Sequence, residues 1–346
     1  MSNPHFDLTL TGIGSMPGTD PAGTCRLILD YLPDMPFWPQ LADLGPMEDM
    51  VVQQSAGLPG LAIRQDGRGL EVSRACLEAE LTWFYDRYLA EDVEAFSLGP
   101  DRAKGLYELL ALIKRNGDHK TGRFIKGQSA GPFTVASSIK DSDGRALLYD
   151  QELMEALIKG LSIKLLWQVR TLEKTARRAI VFIDEPVLAG VGSAFSPMDR
   201  DQVTDALAEI ISYLKKRSDA LVGIHCCANT DWSMIFRANP DIVSFDAFGY
   251  MESFLLYREA ILEFLNSGGT IAWGIVPTTE TDGLETAESL SQALEQAFSR
   301  VSGWGIDRQT LRQRSILTPS CGAGTLAPDA AAKVIRMLPA IKQLME

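Results

Sequence analysis

The chain's 346 residues are 46% hydrophobic, enough for one large domain with a sizeable core. A formal charge of −12, from 33 basic and 45 acidic residues, argues against nucleic acid or an anionic membrane as partner, since both need a basic face. No apolar run is long enough for a membrane span, the start shows no leader pattern, and five cysteines fit no paired disulfide framework, so a cytoplasmic protein with buried or metal-binding thiols is expected.

The first strand-like run, 6–13, ends in Gly12-Ile13-Gly14-Ser15-Met16-Pro17-Gly18. Glycines there let backbone approach a ligand, and Ser15 adds a hydroxyl and an N–H. A plain tight turn into the helix expected over 21–32 is the equal alternative. Residues 35–41 give a short second strand. From about 42 to 120 the strand–helix rhythm breaks. Two short runs flank Asp66-Gly67-Arg68-Gly69 as in a hairpin, and helical patterns follow at 73–89 and 101–116. An insertion this long after a barrel strand reads as a cap over the active-site end.

Strand three, 123–129, turns through Ala130-Gly131-Pro132 into a helix. A long helix is expected over 151–176, where Leu153, Leu157, Leu161, Leu165 and Val169 recur at helical spacing as a packing stripe. Strand four, 179–183, runs straight into Asp184-Glu185-Pro186. The remaining strands, 220–226, 242–246, 270–276 and 315–319, alternate with helices at about 199–217, 251–266 and 284–303. Eight strands with intervening helices point to a single α/β domain over 1–346, a (β/α)8 TIM barrel with an insertion after the second strand. An open doubly wound sheet fits less well, because no glycine-rich dinucleotide fingerprint follows a strand.

In such a barrel the strand C-termini open onto one face, where active sites lie. His225 and Cys227 share a face of the fifth strand, Asp246 closes the sixth and Cys321 follows the eighth. Taken singly, each is as well read as a core histidine or a buried small thiol. Taken together, in a chain with three histidines and five cysteines, they describe a zinc site. Asp246 is either the fourth ligand or an outer partner acting through water or on His225. Cys226 faces the other way and reads as packing; Cys25 and Cys76 fall on helical patterns and are expected to be buried. His5 and His119 receive no role. Two thiolates weaken the Lewis acidity of zinc, which disfavours hydrolysis and favours alkyl transfer to a substrate thiol. Asp184 and Glu185, at an apolar strand end, suit a substrate ammonium, although acids that simply complement a helix N-terminus would look the same. With Ile13, Gly14 and Ser15 available for a carboxylate, these pieces describe a pocket for a thiol amino acid.

On these residues the chain resembles the C-terminal catalytic barrel of cobalamin-independent methionine synthase, in a short core form. That family sits in a larger group with uroporphyrinogen decarboxylases and methylcobalamin:coenzyme M methyltransferases. Gly12-Ile13-Gly14-Ser15-Met16-Pro17 looks like the family's first-strand substrate loop, and Phe182-Ile183-Asp184-Glu185-Pro186 is similar to its Ile-Asp-Glu-Pro motif. His225-Cys226-Cys227 matches its His-x-Cys, and Pro319-Ser320-Cys321-Gly322 its last cysteine. The resemblance covers almost the whole chain in the right order. It implies a zinc-dependent methyltransferase with His225, Cys227 and Cys321 as ligands and Asp246 where the family has a glutamate. Ile13, Gly14, Ser15 and Asp184 would then hold homocysteine by its carboxylate and amino groups. Coenzyme M is the alternative thiol, and a zinc-free decarboxylase the alternative chemistry, although no arginine cluster follows Ser15.

Two departures bear on the methyl donor. The family's extra N-terminal barrel, which helps to bind polyglutamylated folate, has no counterpart here. The family's proton-donating histidine after the seventh strand is also missing from Ala272-Trp273-Gly274-Ile275-Val276-Pro277-Thr278-Thr279. Methyl transfer from a folate nitrogen needs that proton, whereas a methyl-corrinoid expels Co(I) without one. The expected donor is therefore a methyl-corrinoid, free or protein-bound, ahead of methylfolate.

Overall fold

Apolar runs with β-branched residues at the predicted positions form parallel strands, each followed by a helix that covers the sheet's outer surface. The computed structural model describes residues 4–115, 122–191, 198–279 and 285–346. Seven strands lie side by side in one parallel sheet: β1 (Thr9–Leu10), β9 (Ser315–Pro319), β8 (Thr270–Val276), β7 (Ile242–Phe245), β6 (Leu221–Cys226), β5 (Arg178–Asp184) and β4 (Phe124–Ala130). A separate antiparallel hairpin, β2 (Leu61–Ile63) with β3 (Leu70–Val72), sits in the predicted insertion.

The predicted second strand is present only as extended chain. Phe37 bridges to Lys126 of β4, and Gln40 bridges to Ser15 beyond β1, both in parallel. Trp38 N–H donates to Lys126 O at 3.2 Å, and Gln40 N–H to Gly14 O at 3.0 Å. This stave closes the ring into a TIM-barrel-like fold. It makes no continuous ladder because Pro36 and Pro39 have no N–H to give. The first strand is shorter than expected for a similar reason: Asp7 and Leu8 adopt φ of 48° and 58°, which is not extended geometry.

The helices are α1 (Pro21–Tyr31), α2 (Leu77–Leu89), α3 (Lys104–Arg115), α4 (Pro132–Ser138), α5 (Gln151–Leu172), α6 (Arg200–Lys215), α7 (Trp232–Arg237), α8 (Ala247–Leu255), α9 (Arg258–Asn266), α10 (Ala287–Ser302), α11 (Arg308–Gln313) and α12 (Pro328–Leu344). The leucine stripe of α5 is buried throughout, as its spacing predicts. Asp150 starts that helix by accepting from Leu153 N–H. The single helix expected over 251–266 is instead α8 and α9, parted where Tyr257 leaves helical geometry. Cys25 is buried but Cys76 is exposed: it precedes the first turn of α2, where a side chain points off the helix end. Asn116, His119 and the expected helix start at 284 lie outside the described residues.

Two cores result. One fills the space between helices and sheet, and a smaller one plugs the barrel with inward residues such as Phe6, Phe124, Ile180, Phe182, Leu221 and Ile242. The plug leaves the strand C-termini to polar side chains.

Candidate metal centre

Strand alternation builds the site. Inward Ile180 and Phe182 place Asp184 inward at the end of β5. On β6, inward Leu221 places His225 inward, with Cys227 two residues beyond it; on β7, Ile242 does the same for Ser244. Parallel register aligns them, with Asp184 opposite His225 and His225 opposite Ser244. Cys321 arrives from the far side, just past the end of β9.

The ligand atoms of His225, Cys227 and Cys321 all lie within 4.8 Å of one another. His225 is 2% exposed, and its Nδ1 is 2.9 Å from Ser244 Oγ. Its Nε2 is buried without a partner among the described residues, which is rare for a polar atom in a folded interior. The proximity of Cys321 draws the Cys227 thiol well below the usual thiol range against the opposing burial, with His225 assisting. The same proximity and burial push Cys321 up. One imidazole and two sulfurs form a donor set that suits zinc.

Asp184 borders the trio. Burial raises its carboxyl above the usual range, opposed by Lys126 and His225. Its Oδ1 is buried and has no partner among the described residues. Both it and the trio line a cavity of about 100 Å³, together with Ile13, Ser15, Gln40 and Gln128. Met50 and Gln53, from the 42–120 insertion, line it too. A larger cleft of about 530 Å³ between α8 and α10 includes none of the trio, nor Asp184.

Other predicted site residues are placed differently. Gly14 stands behind the cavity wall, where a Cβ would meet the Gln128 side chain at 2.8 Å. Glu185 is fully buried and turned to α4: its carboxylate accepts the Phe133 and Thr134 N–H groups, each at 2.8 Å, and the Thr134 hydroxyl. It therefore does the helix-capping work that its sequence position also allowed. Burial pushes it up to about 7. Asp246 stands outside the three-atom group; its Oδ1 caps α8 by accepting from Gly249 N–H at 2.8 Å. Burial raises its carboxyl, and the proximity of Cys227 adds to that.

Sequence reasoning passed over Ser244 and Lys126. Each had a signal, being a polar residue at an inward position of an apolar strand.

No protein-family model matches the chain, and no curated protein does. Solved structures do. A B12-independent methionine synthase from Shewanella sp. W3-18-1, in complex with selenomethionine, aligns at 16% identity and TM-score 0.57, over 98% of this chain and 97% of that one. A putative vitamin-B12-independent methionine synthase from Listeria monocytogenes aligns at 12% identity and TM-score 0.54, over 100% and 99%. This chain shares their fold. A GH113 β-1,4-mannanase aligns more loosely, at 12% identity and TM-score 0.45 over 99% of each chain. No described helix is long and apolar enough to cross a membrane.

Proposed function

We propose that this chain is a zinc-dependent methyltransferase that methylates a small thiol amino acid, homocysteine, to give methionine. The observation that carries this reading is the convergence of His225, Cys227 and Cys321 beside Asp184, whose buried Oδ1 has no partner among the described residues, around one small cavity. His225, Cys227 and Cys321 would hold the metal, with Asp246 near them as an outer acid. When bound, zinc supplies the positive charge that keeps a substrate thiol deprotonated and still nucleophilic at neutral pH.

The chain's own residues do the rest. Ser244 orients His225: binding through Nε2 requires Nδ1–H to donate to Ser244 Oγ. Asp184 receives the substrate ammonium, which replaces the hydrogen bond its Oδ1 lacks. The backbone of Ile13 and Ser15 faces the carboxylate. Met50 and Gln53 make the insertion a cap that narrows the cavity and excludes water. The absence of a histidine from residues 272–279, at the end of β8, supports a methyl-corrinoid as donor: sulfur takes the methyl group as the carbon–cobalt bond breaks, and cobalt leaves as Co(I) with the electron pair.

The test is zinc content followed by turnover. About one zinc per chain, lost in Cys227→Ser, is expected. Methionine should form from L-homocysteine with methylcobalamin. A native protein without zinc would overturn the reading. Full turnover with 5-methyltetrahydrofolate, in the absence of any corrinoid, would overturn the choice of donor.

A further inference from the structure

One buried charge has no part in the chemistry above. Lys126 on β4 is 0% exposed, in a protein interior where an ammonium is rare unless it is paired. Its Nζ donates to the Ile13 carbonyl, lies 3.4 Å from Gln128 Oε1, and sits 4.4 Å from the centre of the Phe182 ring. None of these contacts is a carboxylate. Its main chain is engaged beside the same seam, with its N–H donating to Pro36 O at 2.8 Å and its carbonyl accepting from Trp38.

The contact to Ile13 has a geometric consequence. A trans peptide is planar with its C=O and N–H opposed, so fixing the Ile13 carbonyl toward Lys126 aims the Gly14 N–H the other way. The Gly14 carbonyl is taken by Gln40 N–H at 3.0 Å, which aims the Ser15 N–H away from Gln40. The N–H groups of Ile13, Gly14 and Ser15 have no acceptor among the described residues. Ile13 and Ser15 line the cavity. Backbone N–H groups left free beside a cavity attract an anion, and a cation behind them strengthens that attraction.

We propose that Lys126 is the positioning residue of the pocket, holding the 13–15 segment in the orientation that presents the Ile13 and Ser15 N–H groups to a substrate carboxylate. This rests on the reading of the site as a pocket for a thiol amino acid. Burial draws Lys126 down to about 8, with Asp184 opposing, so it remains largely an ammonium at neutral pH.

The test compares two thiols by titration calorimetry on the metal-loaded protein: L-homocysteine, and 3-aminopropane-1-thiol, which lacks the carboxylate. The native protein should prefer homocysteine. In Lys126→Met and Lys126→Gln that preference should fall about tenfold or more, while zinc content and affinity for the amine thiol hold. An unchanged preference in either folded variant overturns the proposal. So does an equal loss for both thiols, which marks a structural residue, or failure of both variants to fold. A native protein that binds both thiols equally removes the carboxylate site alone; one that binds neither removes the pocket reading, and the proposal with it.

Discussion

Ser244→Ala separates a ligand histidine from a core histidine. Ser244 is fully buried on β7, in register with His225, and its hydroxyl is the partner of Nδ1 at 2.9 Å. Alanine leaves that nitrogen buried and unpaired, which costs about 1–3 kcal/mol of stability. This loss falls on the metal-free protein and should appear in its urea unfolding. Metal affinity feels a different part of the change. The ring is no longer held at the angle that points Nε2 toward the two sulfurs, and losing such an outer partner typically weakens binding by about 10–100-fold, or roughly 1.4–2.7 kcal/mol. Competition for zinc against a chromophoric chelator measures this directly. A stability loss with unchanged zinc affinity would refute the reasoning, because His225 would then be a core residue that binds nothing.

Three further outcomes are expected. Asp184→Asn removes a carboxylate that burial already disfavours, so the metal-free protein should melt no lower, while L-homocysteine binds weaker by about 30-fold or more, as for a buried charge pair that loses one partner; calorimetric affinity equal to the native value would contradict the ammonium role. Gly322→Ala places a Cβ 2.1 Å from Ser15 Oγ and 3.3 Å from Ser15 Cβ, so the Ser15 hydroxyl must swing out of its present position and the substitution should cost about 1 kcal/mol together with substrate affinity; unchanged homocysteine binding at normal stability would count against that contact. Glu185, raised by burial from 4.5 to about 7, holds its proton more tightly when folded. Its protonated form therefore stabilises fully below about pH 4.5, and that contribution, on the order of 2–3 kcal/mol, fades as pH rises through 7. Glu185→Gln should flatten this slope in urea melts at spaced pH, and parallel profiles would contradict it.

The barrel was legible because its strands are apolar runs of the right length, and β8 and β9 fall on the expected residues. His225 and Cys227 were legible through the period of two. Cys321 was legible only as a thiol at a strand end, since nothing local ties it to residues about a hundred positions earlier. The acids divide differently. Asp184 faces inward by alternation, but Glu185 and Asp246 sit where a strand turns into a helix, and there the same residue serves a ligand and an N-cap equally well. Only the partners, Phe133 and Thr134 for one and Gly249 for the other, reveal the capping. The second stave was misjudged because periodicity marks extended chain but ignores the N–H groups its prolines lack.

That stave divides the mouth of the barrel into two walls of unequal stiffness. His225 belongs to a strand laddered on both sides, so its position costs a sub-global opening to disturb. Ser15 and Gln40 border a seam held by isolated bridges and not by a continuous ladder, a kind of segment that opens more readily. His225 and Asp184 are thus carried by the barrel's continuous sheet, and the Ser15 side of the pocket by the bridged stave. Changes along the seam could retune which thiol is accepted while leaving the geometry of the three metal ligands undisturbed.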